Sequence, residues 1–141
     1  MTLRNLDNLH PHVKKLAKEL ILSCKKQGVP IYVCRTFVTL EEQENIYAQG
    51  RTIPGAILTH FKPGYSLHNY GLAFDILCTK NCETPWDENT AYRIIGGIGK
   101  DIGLTWGGDK KIHSVTHFEW SGCLSINDLL LGKIPPRMRF L

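Results

Sequence analysis

The sequence has no long apolar run. No window of about 18 consecutive apolar residues occurs, so its hydropathy excludes a membrane-spanning helix. The N-terminal segment MTLRNLDNLHPHVKK also has no apolar stretch of the kind that a secretory signal requires. We therefore expect synthesis in the cytoplasm without a signal peptide, and no insertion into a membrane.

A strong charge imbalance is also lacking. Charged residues make up 21% of the chain and the net charge is +4. There is no lysine- and arginine-rich run, and no basic helix with interleaved aromatic residues, so we expect no nucleic-acid partner. The mild positive charge is compatible with an anionic surface such as a cell wall, but many soluble domains share it. We expect a monomer.

The cysteines do not form an even set. The chain has five cysteines, and an odd number without a secretory signal argues against a disulfide framework. Cys24, on an apolar helix face, and Cys34, in a strand, are interpreted as core thiols. Cys78 and Cys82, in CTKNC, are spaced for a local disulfide or a thiolate metal site. Because no second cysteine pair at metal-ligand spacing appears, the metal site is disfavoured, and the disulfide stays open.

Repeats, linkers and low-complexity segments are absent, and 141 residues fit one domain, 1–141. The pattern of apolar residues, caps and turn residues predicts alternating helices and strands. Helices are predicted at 11–27, from the Thr39–Glu42 capping box to Gly50, after a cap at Asp87, and near 125–132; strands are predicted at 31–35, 72–77, 104–106 and 116–120. This order predicts an α+β domain with a small, mostly antiparallel sheet flanked by helices.

Two segments stand out against that pattern. Residues 51–69 carry several prolines and glycines and predict a long loop, which in a compact domain tends to be functional. Gly96, Gly97 and Gly99 interrupt the third helix and are expected to weaken it.

Three polar residues in apolar segments point to chemistry. His68 and Asp75 lie on either side of NYGLAF, and His117 lies in a separate, later strand. Two imidazoles and one carboxylate are a common catalytic zinc set that leaves a fourth position for water. Gly71 would let the backbone turn or approach closely, and Ala73 would leave room beside Asp75 on the same strand face. Alternatively, each residue is a separate buried polar group satisfied by hydrogen bonds.

The segment SLHNYGLAFD matches the S-x-H-x-x-G-x-A-x-D signature of the D-Ala-D-Ala carboxypeptidase and L-alanyl-D-glutamate peptidase family. HFEW after WGGD resembles the closing zinc-histidine segment of that family, and CRTFVTLEEQENIYAQGRT resembles an upstream segment. The resemblance runs from about residue 10 to 120, and HNYGLAFD with QGRT is most similar to the phage endolysin-like branch. It implies the small fold shared with the hedgehog signalling domain.

Carried over to this chain, the resemblance implies that His68, Asp75 and His117 bind Zn²⁺. It implies that Arg35 faces the substrate carbonyl or carboxylate, where a guanidinium would stabilise negative charge on oxygen. A surface ion pair is the simpler reading of Arg35. Ser66 matches the serine of the signature and is expected to bind the backbone or a ligand, or to serve only as a turn residue.

The tryptophans are interpreted as structural. Trp106 and Trp120 are read as core or as walls of the cleft, and Trp120 is included among the expected substrate contacts.

One position departs from the family pattern. The family has an acid three residues before the last zinc histidine, where it acts as general base, and here that position is Ser114. His113 is a substitute, because it would share a face with His117 on a regular strand. Asp109 and Glu119 are weaker substitutes, and Glu119 would alternatively orient His117.

These observations predict a zinc peptidase that hydrolyses the L-alanyl-D-glutamate bond of the peptidoglycan stem, with Arg35, His113 and Ser114 as the catalytic positions. The wall peptide is the expected partner, and the cell wall is the expected place of action. A D-Ala-D-Ala carboxypeptidase is the alternative within the enzymes. A catalytically impaired domain that keeps zinc and binds wall peptide is the third reading, and Ser114 favours it.

Overall fold

The computed structural model describes residues 3–79, 88–111 and 113–136. Four α-helices and four β-strands lie within these ranges: α1 (Pro11–Lys26), β1 (Ile31–Arg35), α2 (Leu40–Ala48), β2 (Ala73–Cys78), α3 (Glu88–Asp101), β3 (Thr105–Trp106), β4 (His117–Glu119) and α4 (Ile126–Leu130). The predicted cap at Asp87 and the cysteine Cys82 lie outside the described residues. None of the helices in the described ranges is long and apolar enough to cross a bilayer.

The four strands form one sheet in the order β1-β2-β4-β3, and each neighbouring pair is antiparallel. The α+β prediction is therefore confirmed. Arg35 lies opposite Asp75 between β1 and β2, and Asp75 lies opposite His117 between β2 and β4. The sheet thus places three of the predicted site residues in one row across neighbouring strands.

The two faces of the sheet have different roles, because successive side chains on a strand point to opposite faces. Phe74 and Phe118, which are paired in register and stacked with ring centroids 5.8 Å apart, lie on the face that packs against the helices. Both are fully buried. Asp75 and His117, their chain neighbours, consequently lie on the other face, which carries the site.

Close packing explains the glycines of α3. A Cβ atom on Gly96 would lie 2.3 Å from the ring of Trp106, and one on Gly99 would lie 2.4 Å from the ring of Phe118. These glycines lower helix propensity, as expected, but they let α3 approach β3 and β4 more closely than an alanine would allow.

The predicted capping box of α2 forms only in part. The Thr39 side chain accepts a hydrogen bond from the backbone N–H of Glu42 at 3.0 Å, as a cap should. The Glu42 carboxylate, however, does not return to the backbone of Thr39 and lies 3.6 Å from the guanidinium of Arg35. By contrast, the box of α4 is complete, with reciprocal bonds between Ser125 and Asp128. Glu42 therefore pairs with Arg35 instead of capping the helix.

The predicted long loop is held in place by contacts of Arg51 with α2 and within the loop. Arg51 donates to the carbonyl oxygens of Tyr47 at 2.6 Å and Thr59 at 3.0 Å, and its guanidinium stacks 3.7 Å above the Tyr47 ring. The last part of the loop differs from the prediction, because Leu67–Tyr70 forms a 3-10 helix.

The thiol predictions have mixed outcomes. Cys24 is fully buried, as expected for a core thiol, whereas Cys34 is only half-buried. Cys34 stands beside the irregularity in β1, where the register shifts between Val33 and Arg35. Whether Cys78 pairs with Cys82 stays open, because Cys82 lies outside the described residues.

Candidate metal centre

Three side chains from separate parts of the chain converge on the open face of the sheet. Asp75 Oδ1 lies 3.3 Å from His68 Nε2 and 3.2 Å from His117 Nδ1. One ligand atom from each of the three residues lies within 4.8 Å of the other two. The structure therefore brings together the three residues that the resemblance implied as ligands.

A backbone carbonyl selects the nitrogen that His68 presents. His68 Nδ1 lies 2.7 Å from the carbonyl oxygen of Thr36, and since a carbonyl only accepts, Nδ1 carries the proton and donates. The lone pair is then on Nε2, the nitrogen that faces Asp75. The ring is buried, with 7% of His68 exposed, so this orientation is firmly held.

A carboxylate selects the nitrogen that His117 presents. His117 Nε2 donates to Glu119 Oε1 at 2.9 Å, and Lys110 Nζ donates to the same oxygen at 2.5 Å. A metal-binding histidine typically donates its outer N–H to a carboxylate or a carbonyl, which fixes the ring and raises its basicity. Both histidines have that arrangement, so the donor set of two imidazole nitrogens and one carboxylate oxygen fits Zn²⁺.

Electrostatics reinforce the cluster. Burial raises the pKa of Asp75, but hydrogen bonds from His117 and His68 outweigh it and hold the pKa well below its ordinary value. Burial lowers the pKa of His117, but its hydrogen bonds to Asp75 and Glu119 prevail and raise that pKa to about 9. Burial raises the pKa of Glu119, but its hydrogen bonds to His117 and Lys110 outweigh burial, so the pKa lies below its ordinary value. In the metal-free chain at neutral pH, His117 is therefore protonated and forms an ion pair with the ionised Asp75.

The local sequence explains how His68 reaches this position. The Ser66 side chain caps the 3-10 helix by accepting from the His68 backbone N–H at 3.3 Å. Gly71 ends the helix at φ +70°, and a Cβ there would lie 3.1 Å from the carbonyl oxygen of Asn8. The expectation that Gly71 allows both a turn and a close approach is therefore confirmed.

A buried polar network ties this helix to the long loop. Asn69 donates to the carbonyl oxygen of Val38 at 2.9 Å and accepts from the Gly64 N–H at 3.1 Å. Gln43 donates to the carbonyl oxygen of Phe61 at 2.7 Å. Both amide side chains are buried, so breaking these bonds would leave unsatisfied polar groups. The network fixes the loop beside the candidate metal-binding residues.

Arg35 is placed at the same face by β1. Its guanidinium Nη2 lies 3.6 Å from Glu42, and its Nε is buried without a hydrogen-bond partner among the described residues. The simpler interpretation of Arg35 as a surface ion pair is incomplete, since the side chain also borders the cleft described next.

A cleft of about 700 Å³ opens over His68, Asp75 and His117. One wall is apolar and comes from the connection between β1 and α2, from α2 itself and from the long loop, and the other is polar and cationic. The lining residues include Val38, Ile46, Leu58 and Phe61 on the apolar side and Arg35, Lys110 and Lys111 among the cations. A smaller pocket of about 210 Å³ adjoins it, and both are bordered by Phe61, Ser66, Lys110, His117 and Glu119.

The positions proposed for proton transfer do not all reach the cleft. Ser114 lines it, in a turn whose carbonyl oxygen accepts from the His117 N–H at 3.3 Å. His113 is exposed and is not among the lining residues. Strand β4 begins only at His117, so the shared-face argument for His113 does not apply. Asp109 is exposed and paired with Lys100 at 2.8 Å.

Trp120 lies away from the cleft. It is one residue beyond Glu119, so strand alternation turns it toward the core, where it packs against the rings of His10 and His12. Its predicted contact with substrate has no support from this position. Trp106 is buried in the core, which is one of the two positions predicted for it, the other being a wall of the cleft.

Several residues that support the site were not identified from the sequence. Thr36 contributes only a backbone carbonyl, which no side-chain pattern signals. Glu42 matches the pattern of a helix cap, which hides its contact with Arg35. The signal for Asn69 is its place beside His68 in an otherwise apolar segment. Lys110 has no signal, because a single surface lysine has no distinctive pattern.

Replacing Glu119 by glutamine is expected to weaken zinc binding by about 10- to 100-fold, the range found when the outer partner of a metal ligand is lost. The reason is that the amide retains an acceptor for His117 but removes the charge that supports the ring. Competition with a chromophoric chelator measures the dissociation constant. Glu44→Gln, on an exposed part of α2, is the matched control. An unchanged zinc affinity in Glu119→Gln would contradict this role.

Comparison with known proteins supports this interpretation of the site. Residues 6–121 match the family described as VanY, D-alanyl-D-alanine carboxypeptidase. The chain is 34% identical over 122 residues to the peptidoglycan L-alanyl-D-glutamate endopeptidase CwlK of Bacillus subtilis (strain 168), covering 79% of this chain and 73% of CwlK.

Two solved structures share the fold. The L-Ala D-Glu endopeptidase ChiX of Serratia marcescens has a TM-score of 0.60 and 20% identity, with 92% of each chain covered. A vancomycin resistance D,D-pentapeptidase VanY mutant in complex with Zn(II) has a TM-score of 0.60 and 19% identity, with 79% of this chain and 72% of that chain covered. By its sequence match and its fold, the chain belongs to the VanY family of peptidases.

Proposed function

We propose that the chain is a zinc peptidase that cleaves the L-alanyl-D-glutamate bond in the peptidoglycan stem. The observation that carries the proposal is the inward-facing set of His68 Nε2, Asp75 Oδ1 and His117 Nδ1 on the floor of a cleft. Zinc held by these atoms would act as a Lewis acid toward the scissile carbonyl and lower the pKa of water. We propose the bacterial cell wall as the place of action, in an endolysin-like role.

The other residues of the cleft have distinct proposed roles. Arg35 is positioned to stabilise negative charge on the carbonyl oxygen during amide cleavage, with Glu42 holding its guanidinium. Glu119 binds the nitrogen of His117 that faces away from Asp75, so it orients the ring. Ser66 borders the cleft and is proposed as a substrate contact in addition to its cap of the 3-10 helix.

The shape of the site favours an endopeptidase over a carboxypeptidase. The main cleft and the smaller pocket meet at His117, Glu119 and Lys110, so a peptide bound there has space on two sides. An endopeptidase needs room on both sides of the scissile bond, whereas a carboxypeptidase needs to hold only one terminal residue on the leaving side. The named activity of CwlK supports the same choice.

Products from purified stem peptides test the proposal. We expect the zinc-loaded protein to split an L-alanyl-D-glutamyl-containing peptide between these two residues, as measured by mass spectrometry. Loss of a single terminal alanine would instead identify the D-Ala-D-Ala carboxypeptidase that the family description supports. Bound but intact peptide would identify a wall-peptide-binding domain, the third candidate, which the serine at position 114 favours.

The role of His113 as general base is tested by substitution. Because its side chain is exposed and outside the cleft, we expect His113→Gln to keep kcat within about threefold of the native value, whereas loss of a general base costs about 100-fold or more. Initial rates on the same stem peptide give the comparison. A loss of about 100-fold with unchanged zinc content would show that His113 moves into the cleft and accepts the proton.

A further inference from the structure

We propose that Lys110 and Lys111 bind the free carboxylate that lies next to the scissile bond, which makes the enzyme selective for the acid over the corresponding amide. This inference rests on the proposed function and specifies its substrate. D-glutamate has two carboxyl groups, and only one of them forms the peptide bond to the next residue of a linear stem. When the side-chain carboxyl forms that bond, the α-carboxylate stays free. This carboxylate is attached to the Cα that is bonded to the scissile nitrogen.

The charges of the cleft leave a cationic excess on its polar wall. Three cations, Arg35, Lys110 and Lys111, border the cleft with two carboxylates, Asp75 and Glu119. Arg35 is paired with Glu42, which lies outside the lining, so the excess falls on the wall formed by the two lysines. Asp75 is held by both histidines, and Glu119 is held by His117 and Lys110. Neither carboxylate is therefore available to neutralise a further cation.

Lys111 is the cation whose charge is uncompensated. The neighbouring acid, Asp109, is paired with Lys100 at 2.8 Å on the exposed side of the segment. Within the described ranges, no carboxylate lies within ion-pair distance of Lys111, although its side chain borders the cleft. An anionic group of the substrate would complete this arrangement.

Lys110 shows that the cationic wall is close to the reaction site. Its ammonium shares Glu119 Oε1 with His117 Nε2, so it stands two hydrogen bonds from a metal ligand. A carboxylate on the Cα that follows the scissile nitrogen must also lie within a few bonds of the metal. The positions of cation and anion therefore match, with Lys110 at the boundary of the two pockets and Lys111 beside it.

Two peptides that differ by one charge test the proposal. Acetyl-L-alanyl-γ-D-glutamyl-L-alanine amide is prepared with a free carboxylate on the glutamate Cα and, separately, with that carboxylate converted to a primary amide. Initial rates of cleavage by the zinc-loaded protein, followed by mass spectrometry over a series of peptide concentrations, give KM and kcat/KM, and calorimetry measures the affinity for any peptide that is bound but not cleaved. We expect the acid to bind about 10-fold more tightly than the amide, as one charge-assisted hydrogen bond predicts.

The variants assign that preference to the lysines. Lys111→Gln is expected to weaken binding of the acid about 10-fold and leave the amide unchanged, and Lys111→Arg is expected to retain the preference. Lys25→Gln, on the exposed end of α1, is the matched control. Lys110→Gln is measured with its zinc content, because Lys110 also supports Glu119.

Each outcome separates this proposal from the proposed function. Equal affinities in the native protein, or a preference that persists in both Lys111→Gln and Lys110→Gln, would overturn the carboxylate site. Lysine-dependent binding of the acid without cleavage would support the site and refute the peptidase activity. Cleavage of both peptides at equal rates with equal affinities would support the peptidase and refute the site.

Discussion

Replacing Asp75 by asparagine is expected to remove tightly bound zinc and to lower kcat/KM by more than about 100-fold. Loss of an outer partner already costs about 10- to 100-fold in metal affinity or activity, and Asp75 is proposed as a ligand itself. Asp75 also lies between His68 and His117, so the neutral amide removes the charge that holds both rings. Zinc content after dialysis and initial rates on stem peptide measure the two effects.

The control for this variant is Asp101→Asn, which changes an exposed aspartate in the last turn of α3. It should retain both zinc and activity. An Asp75→Asn protein that remains folded by circular dichroism and keeps native zinc content would contradict the assignment of Asp75 as a ligand.

Replacing Ser114 by aspartate is expected to raise kcat by at least about 10-fold. A positioned general base contributes about 100- to 10,000-fold, and a serine hydroxyl is a poor proton acceptor at neutral pH. The side chain at this position borders the cleft, and its backbone is held by the bond from Ser114 N–H to the Gly107 carbonyl oxygen at 3.1 Å. A carboxylate introduced there would face the same space as the metal ligands.

Ser114→Ala is the control, because it removes the hydroxyl without adding a base. We expect its kcat to stay within about twofold of the native value, and zinc content to be the same in all three proteins. Release of peptide from purified sacculi gives the rates. A slower Ser114→Asp enzyme would contradict the proposed role of this position. If only Ser114→Asp cuts, the native chain is a wall-peptide-binding domain.

The convergence of His68, Asp75 and His117 was predictable from sequence because it depends on a short signature and on strand alternation. His68 and Asp75 belong to one segment of ten residues, and the antiparallel register then places His117 opposite Asp75. Strand alternation also predicts the side of the sheet on which Trp120 lies. Because Trp120 is an odd number of residues from His117, the two side chains face opposite sides, and Trp120 faces the core.

The supporting residues were less accessible for physical reasons. The Thr36 carbonyl acts through the backbone, which every residue shares, and only the fold brings it to His68. The sequence around Glu42 is compatible with both a helix cap and an ion pair. Which of the two forms depends on the position of Arg35 at the end of β1. The shared-face argument for His113 assumed a regular strand as far back as residue 113, whereas the predicted strand covered 116–120 and β4 begins at His117.

Helix α3 illustrates how tertiary packing overrides propensity. Gly96 and Gly99 lower the intrinsic stability of the helix, but they are the positions where the rings of Trp106 and Phe118 approach its backbone. Helix propensity predicts that the glycines destabilise α3, but it does not explain why they are there. The packing of α3 against the sheet explains their presence.

Anomalous scattering at the zinc edge from crystals grown with zinc tests the central claim most directly. The account predicts one strong peak bounded by His68 Nε2, Asp75 Oδ1 and His117 Nδ1, at about 2.0–2.2 Å from each atom. A peak elsewhere in the molecule with none between these three atoms, or no peak at saturating zinc, would contradict it.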